Sequence, residues 1–360
     1  MKAARIMTLV VAVCGAAGGC NKSENSESAS EKKAEQGDGG ISKVAAVDPN
    51  LAQAFQASSA APAARADEVQ GGPPPNGIFA PGGADKELPK GGAPQITLGS
   101  EGSAPRVTLG APIAPGSKLT GEMQVAIQSD PQMGAIPILL SLSIEAKKPA
   151  AAEGAKGDVP IPMSVRVTGA KIDAAGAPRE LEQQIAKLKG SRVDYEVLPN
   201  GAGTGYRFEV AAGAQGAELR DTIRSLSDTL SLITIPYPAK PLGEGGFWMV
   251  TSRGELFGLD LVTYRLIKVE KVGPSSVTLK VNTKRYAADS HFELPGLPPN
   301  IPPNMVEFQA NSDGVLELPQ GAAIPQSGKI ESVLAAALGQ PGVKQRGVFQ
   351  LQSRAQISLK

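Results

Sequence analysis

The chain has 360 residues, with 36 lysines and arginines against 35 aspartates and glutamates, a formal charge of +1, one histidine and two cysteines. Its basic residues gather only into short clusters such as Lys284-Arg285, which excludes the basic stripe that nucleic-acid binding requires. So few cysteines and histidines rule out a disulfide framework and the usual zinc clusters.

The first element is a leader. Met1-Lys2-Ala3-Ala4-Arg5 is basic, Ile6 to Ala17 is apolar, and the small pair Gly18-Gly19 precedes Cys20. The apolar stretch suits a secretory signal and falls short of the roughly 20 residues that cross a bilayer. Together these residues resemble the signal peptide and lipobox of bacterial lipoproteins. Cys14 is the rival site, but Val13 before it is a poor residue for a peptidase that takes Gly, Ala or Ser. The resemblance implies that residues 1–19 are removed and that Cys20 is acylated, by palmitate among other chains. Each buried CH2 contributes about 0.8 kcal/mol, so two or three chains anchor permanently where one would be marginal. Removal of Lys2 and Arg5 leaves 34 basic against 35 acidic residues. Asn21, in place of the Asp that often retains such proteins at the inner membrane, points to the outer membrane of a diderm bacterium.

Residues 20–104 read as a disordered tether. The stretch is rich in Ser, Glu, Lys, Ala, Gly and Pro, and its only aromatics are Phe55 and Phe79. Such a composition buries too little apolar surface to offset its ordering entropy. A flexible chain of that length spans roughly 50 Å. Within it, Val47 to Ala64 has the Ala content and the Leu51/Phe55 pair of a transient helix. At its end Ala93-Pro94-Gln95-Ile96-Thr97-Leu98-Gly99 is echoed eleven residues on by Ala104-Pro105-Arg106-Val107-Thr108-Leu109-Gly110. The second copy is expected to start the first strand of the body, and the first to pair along an edge or stay loose.

Residues 105–360 form the expected body, one β-rich domain or two small ones. Period-two alternation places Leu119, Gly121, Met123, Val125 and Ile127 on one strand face, and Ile138, Leu140, Leu142 and Ile144 on another. It does the same for Met163-Val165-Val167, Val193-Tyr195-Val197, Tyr206-Phe208-Val210 and Val277-Leu279-Val281. In the last strand Phe349, Leu351, Ala355, Ile357 and Leu359 oppose Gln350, Gln352, Arg354 and Gln356. Strands that are dry on one face only belong to antiparallel sheets. Two helices interrupt them: Leu181, Ile185 and Leu188 follow Pro178 and stop at Gly190, and Leu219, Ile223, Leu226, Leu230 and Ile233 repeat at helical spacing before Pro236. One apolar face on each requires packing against the sheet. The fold expected is α+β: a largely antiparallel curved sheet of about ten strands, half-barrel or sandwich-like, with two packed helices.

Pro241-Leu242-Gly243-Glu244-Gly245-Gly246-Phe247-Trp248, followed by a long hairpin from Leu259 to Tyr286 and a Gly-marked strand at Gly314 to Leu318, resembles a family of bacterial lipoproteins with a domain of unknown function. Ala150 to Gly157 and Leu294 to Pro303 look like additions to that plan. The resemblance implies no activity. Physically, Gly243, Gly245 and Gly246 permit positive φ or close backbone approach, and Trp248 buries a large apolar area at the first inward position. Gly243, Gly245 and Trp248 are thus either a structural turn or part of a ligand pocket.

Catalytic signatures do not assemble. His291 stands beside Ser290 and near Asp289, but no Gly-x-Ser-x-Gly elbow accompanies them. Gly116-Ser117-Lys118 fails the phosphate-loop spacing, Ser30-Glu31-Lys32-Lys33 lies in the tether, and Glu180 and Glu182 face apart on a helix. The expectation is therefore a non-enzymatic envelope lipoprotein without cofactor or metal, held to the lipid bilayer through acylated Cys20. Its role would be binding or scaffolding of an envelope protein, glycan or lipid, with no nucleic-acid partner. The alternative is a carrier of a lipid or other apolar molecule in a half-barrel cavity, with a hydrolase as the remaining possibility.

Overall fold

The computed structural model describes residues 73–110, 113–128, 134–149, 159–256, 258–291, 304–339 and 347–360. Cys20, the leader, Val47 to Ala64, Ala150 to Gly157 and Leu294 to Pro303 lie outside the described residues.

Among the described residues the alternating segments become twelve strands: β1 (Gln95–Ser100), β2 (Lys118–Gln128), β3 (Ile136–Ala146), β4 (Ile161–Ile172), β5 (Arg192–Val197), β6 (Gly203–Glu209), β7 (Phe247–Leu256), β8 (Leu259–Val272), β9 (Ser276–Ala287), β10 (Met305–Pro319), β11 (Ser327–Leu338) and β12 (Gly347–Leu359). They form one antiparallel sheet in the order β1-β7-β8-β9-β10-β11-β12-β2-β3-β4-β5-β6. The sheet is open, with β1 and β6 at its edges. Three helices among the described residues accompany it, α1 (Gly83–Glu87), α2 (Arg179–Ala186) and α3 (Ala217–Ile233).

Helix α3 explains the curvature. Its stripe Leu219, Ile223, Leu226, Leu230 and Ile233 is entirely buried. One side of α3 packs on β5 and β6, while the β8 side chain Arg265 donates to the carbonyl of Ser231 in the same helix. In the sheet order β8 and β6 stand nine positions apart, which in a flat sheet is about 43 Å at the usual strand spacing. A helix with its side chains is only about 10–12 Å across. The sheet therefore curls around α3, and the inward residues of β2–β5 and of β7–β12 join α2 and α3 in one core.

The inward face carries a second apolar cluster at the other end of the strands. Leu259 and Leu261 of β8, Phe308 and Ala310 of β10, and Leu334, Ala336 and Leu338 of β11 belong to it. Between the two clusters the same faces bear Arg265, Thr283, Arg285 and Ser312, all buried.

The body begins earlier than residue 105. Residues 76–79 are stitched between the ends of β9 and β10: Ala287 N–H donates to Gly77 O and Phe79 N–H to Ala287 O, both at 2.9 Å, and Phe308 N–H donates to Asn76 O at 2.9 Å. Helix α1 then crosses the outer face, where Arg253 pairs with Asp85 and Asp260 and Tyr264 donates to Glu87 Oε2 at 3.0 Å. Phe79 packs edge-on against Tyr286. The boundary expected at 105 is corrected accordingly: a Pro- and Gly-rich segment gains order from partners distant in sequence. The echo divides: the first copy pairs along an edge, one of the two outcomes expected for it, while the second does not start a strand. Its first copy becomes β1, paired with β7, whereas its second contributes only an isolated bridge from Val107 to Leu242. Phe208 keeps its expected inward side, opposite Val193, but is 37 % exposed at the sheet edge, lying under the Arg224 guanidinium.

Candidate functional site

At the end of the sheet where β10 turns into β11, the curled inward face is left partly unfilled. A pocket of about 310 Å³ opens there. Its floor is Leu119 of β2, Ile144 and Ala146 of β3, Met163 of β4 and Leu359 of β12. These are the inward positions of their strands, so the alternation that builds the core also makes the floor apolar. Two lips flank it, residues 113–117 with Ile113 and Ala114, and residues 319–326 with Ala322, Ala323, Ile324 and Pro325.

Both lips are fastened by backbone. Gly116 N–H donates to Ala146 O at 2.6 Å and Ala146 N–H to Ser117 O at 3.0 Å. On the other side Gln326 N–H donates to Glu317 O at 2.8 Å, and Leu359 N–H to Gln326 O at 2.7 Å. Tyr237 Oη donates to Ala323 O at 3.4 Å, linking the second lip to the segment after α3. Ser117, Gln326 and Lys360 are the polar lining residues. An apolar hollow with a few polar groups at its mouth is the usual form of a small-ligand site.

A different chemistry holds α3 in the curl. Arg265 Nη1 donates to Ser231 O at 2.8 Å and Thr234 O at 3.2 Å, where the helix end leaves carbonyls unpaired and partial negative charge collects. Burial pushes this guanidinium down to about 10. Beside it Arg285 grips Asp228 of α3 through Nη2 at 2.6 Å and Nη1 at 3.3 Å. The stacked pair Tyr195 and Tyr206, 4.8 Å between ring centres, closes the far side. Burial pushes Tyr195 up to about 12.

The turn singled out in sequence is packed against the core on one side only, with Gly243 and Gly246 buried and Glu244 and Gly245 exposed. Gly243 N–H donates to Glu101 O, Gly246 N–H to Gly243 O and Gly245 N–H to Val269 O, each at 2.9 Å. A Cβ at Gly243 would lie 1.6 Å from Ser103 O, so the backbones meet too closely for any side chain, and Gly245 has φ +79. Trp248 is fully buried and its Nε1 donates to Pro236 O at 2.8 Å. Gly243, Gly245 and Trp248 are brought together, but away from the pocket lining. His291 N–H donates to Asp289 Oδ1 at 2.8 Å in a local turn after β9.

The pocket is not among the sequence candidates. Its floor residues read in sequence as parts of separate strand faces, and what singles them out is that their inward ends coincide. The signal that sequence does carry is the Pro and Gly punctuation of the lips, at Pro115-Gly116 and in Pro319 to Pro325.

Comparison with protein-family models finds none that matches this chain, and no curated protein sequence matches it.

Proposed function

We propose that this chain is a membrane-tethered binding protein of the bacterial envelope that takes the apolar part of a ligand into the pocket at the end of its curled sheet. The observation that carries this reading is the 310 Å³ hollow floored by Leu119, Ile144, Met163 and Leu359, within the size range of small-molecule sites, about 300–1,000 Å³. Helix α3 fills the middle of the curl, so the ligand occupies the end of the half-barrel and not its whole length. Anchoring follows from acylation of Cys20, in the outer membrane by the character of Asn21.

The position of the pocket supports this arrangement. The chain joins the sheet at Asn76 to Phe79, beside Phe308, while the pocket lies at Pro319. Along β10 these points are separated by about 36 Å. The pocket thus opens at the end of the strands remote from the point where Asn76 to Phe79 join the sheet.

The test is binding of the neutral dye N-phenyl-1-naphthylamine to the full chain carrying Cys20→Ser, with and without Leu119→Trp or Ala323→Trp. Filling the pocket should weaken dye binding about tenfold with the urea midpoint unchanged. Undiminished binding in both variants would remove the pocket from the function.

A further inference from the structure

Resting on that reading, we propose that the ligand is a small uncharged amphiphile, a single chain of about ten carbons whose hydrogen-bonding head meets Ser117 and Gln326 at the mouth. Two observations carry this, the volume of the hollow and the charge of its lining. At roughly 30 Å³ per small group, the share that one water takes in the liquid, the 310 Å³ hollow holds about ten non-hydrogen atoms. Size excludes a lipid with two long chains, and a longer single chain leaves its excess in water.

The lining offers no net charge to a head group. Among the described residues it contains no carboxylate side chain, and its one charged side chain, that of Lys360, stands beside the terminal carboxylate of the same residue. That end is fixed to β2: Thr120 N–H donates to Lys360 O at 3.1 Å and Lys360 N–H to Thr120 O at 2.7 Å. The neighbouring charges of β2 and β3 lie on the opposite face, because Lys118 precedes the floor residue Leu119 and Glu145 separates Ile144 from Ala146. They pair with each other there at 3.4 Å. A head of either sign would give up hydration at a mouth that holds no countercharge, whereas a hydroxyl or an amide finds neutral partners. Ser117 and Gln326 fasten the lips through their backbone. Among the described residues the Ser117 hydroxyl and the Gln326 side-chain amide have no protein hydrogen bond and remain for the ligand.

The experiment displaces N-phenyl-1-naphthylamine from the full chain carrying Cys20→Ser with the 1-alkanols from hexanol to tetradecanol, and with decanamide, decanoate and decylamine. Affinity should rise about fourfold with each added methylene up to about ten carbons and then level off. Ala323→Leu lengthens a lip side chain and should move the break down by about three carbons, and Met163→Ala deepens the floor and should move it up by about as much. Decanoate and decylamine should both compete less well than decanol, by about threefold or more. Ser117→Ala with Gln326→Ala should weaken decanamide about threefold and leave the affinity for the dye unchanged. A rise that continues through tetradecanol, or a break that stays put in both single variants, overturns the size limit. A charged head that outcompetes decanol, or decanamide binding undiminished by the double substitution, overturns the neutral head. In each of these outcomes the dye still binds and the pocket stands. Failure of the dye and of every competitor to bind overturns the pocket reading itself.

Discussion

Replacing Asp228 by Asn tests how the helix is held inside the curled sheet. The Asp228 side chain is 14 % exposed and that of Arg285 8 %, and Arg265 on the neighbouring strand is 5 % exposed with only carbonyls to meet its charge. Asparagine keeps the shape and one acceptor but leaves two buried guanidinium groups without a carboxylate. At an effective dielectric constant of 20, a charge pair about 4 Å apart is worth about 4 kcal/mol. Removing one partner of a buried pair costs about 3–5 kcal/mol. An expected loss near 3 kcal/mol corresponds to about 6–12 °C in melting temperature for a body of this size. Urea unfolding followed by the fluorescence of Trp248, the chain's one tryptophan, measures it, with an unchanged slope showing that the unfolded state is not altered. The double variant Asp228→Asn with Arg285→Met should recover to within about 1 kcal/mol of the parent, because the uncompensated charge has gone. A loss below about 1 kcal/mol in the single variant, as for a surface pair, or a double variant no better than the single, would show that this ion pair does not hold α3 in place.

Two further expectations use other parts of the fold. All five tyrosines are raised: Tyr195 to about 12 by burial, Tyr206 by burial and then by Tyr195, Tyr237 and Tyr286 by burial, and Tyr264 by burial and then by Glu87. Above the unfolded value of about 10 the native chain keeps protons that the unfolded chain loses, so this stability is full below about pH 10 and falls as pH rises. Phenolate absorbance should appear only together with alkaline unfolding, and a tyrosine that titrates reversibly near 10 in the folded chain would contradict the burial described. For the segment stitched between β9 and β10, Gly77→Val places a Cβ 1.7 Å from Phe308 O at φ +78. Loss of about 2–4 kcal/mol is expected, and limited proteolysis read by mass should move the resistant boundary from near Pro73 toward β1. An unmoved boundary would show that the segment is dispensable.

What is legible in the sequence is what local periodicity encodes. The stripe from Leu219 to Ile233 and the alternation in β2, β3, β5 and β9 require no partner to be recognised, and all reappear as buried faces. The departures have a common physical form. Asn76 to Phe79 and α1 sit in a Pro- and Gly-rich stretch whose order comes from Ala287, Phe308, Arg253 and Tyr264, all distant in sequence, so by composition they resemble tether. Strand β8 has Val262 and Leu266 buried on one side and Leu261 and Ile267 on the other, which breaks the rule that an antiparallel strand is dry on one face only. Phe208 keeps the inward side that its alternation gives, opposite Val193, and is exposed because β6 is the last strand of the sheet order. The pocket floor is visible in sequence as five apolar strand positions, and the fact that they meet is a property of sheet order alone.

The placing of the pocket follows from unequal lengths. Helix α3 has 17 residues, about 26 Å of helix, whereas β10 has 15 residues, about 50 Å of strand. Even laid along the strands, one helix covers only about half of the inward face. Toward Asn76 to Phe79 the remainder is occupied by the strands' own large side chains, with Phe308, Leu334 and Leu338 buried in the second cluster. At the other end the cover consists of two loops that bring mainly Ala and Pro over the floor, Ala114 from one and Ala322, Ala323 and Pro325 from the other. Small residues cannot fill the gap between a curved floor and a loop, and a hollow remains where the helix stops. A ligand chain entering there completes the packing that α3 is too short to provide, so binding and fold stability are coupled: an occupied pocket must raise the urea midpoint in proportion to the logarithm of ligand concentration above its dissociation constant. In the Leu119→Trp chain, where the indole already occupies the hollow, the same ligand should leave the midpoint where it is.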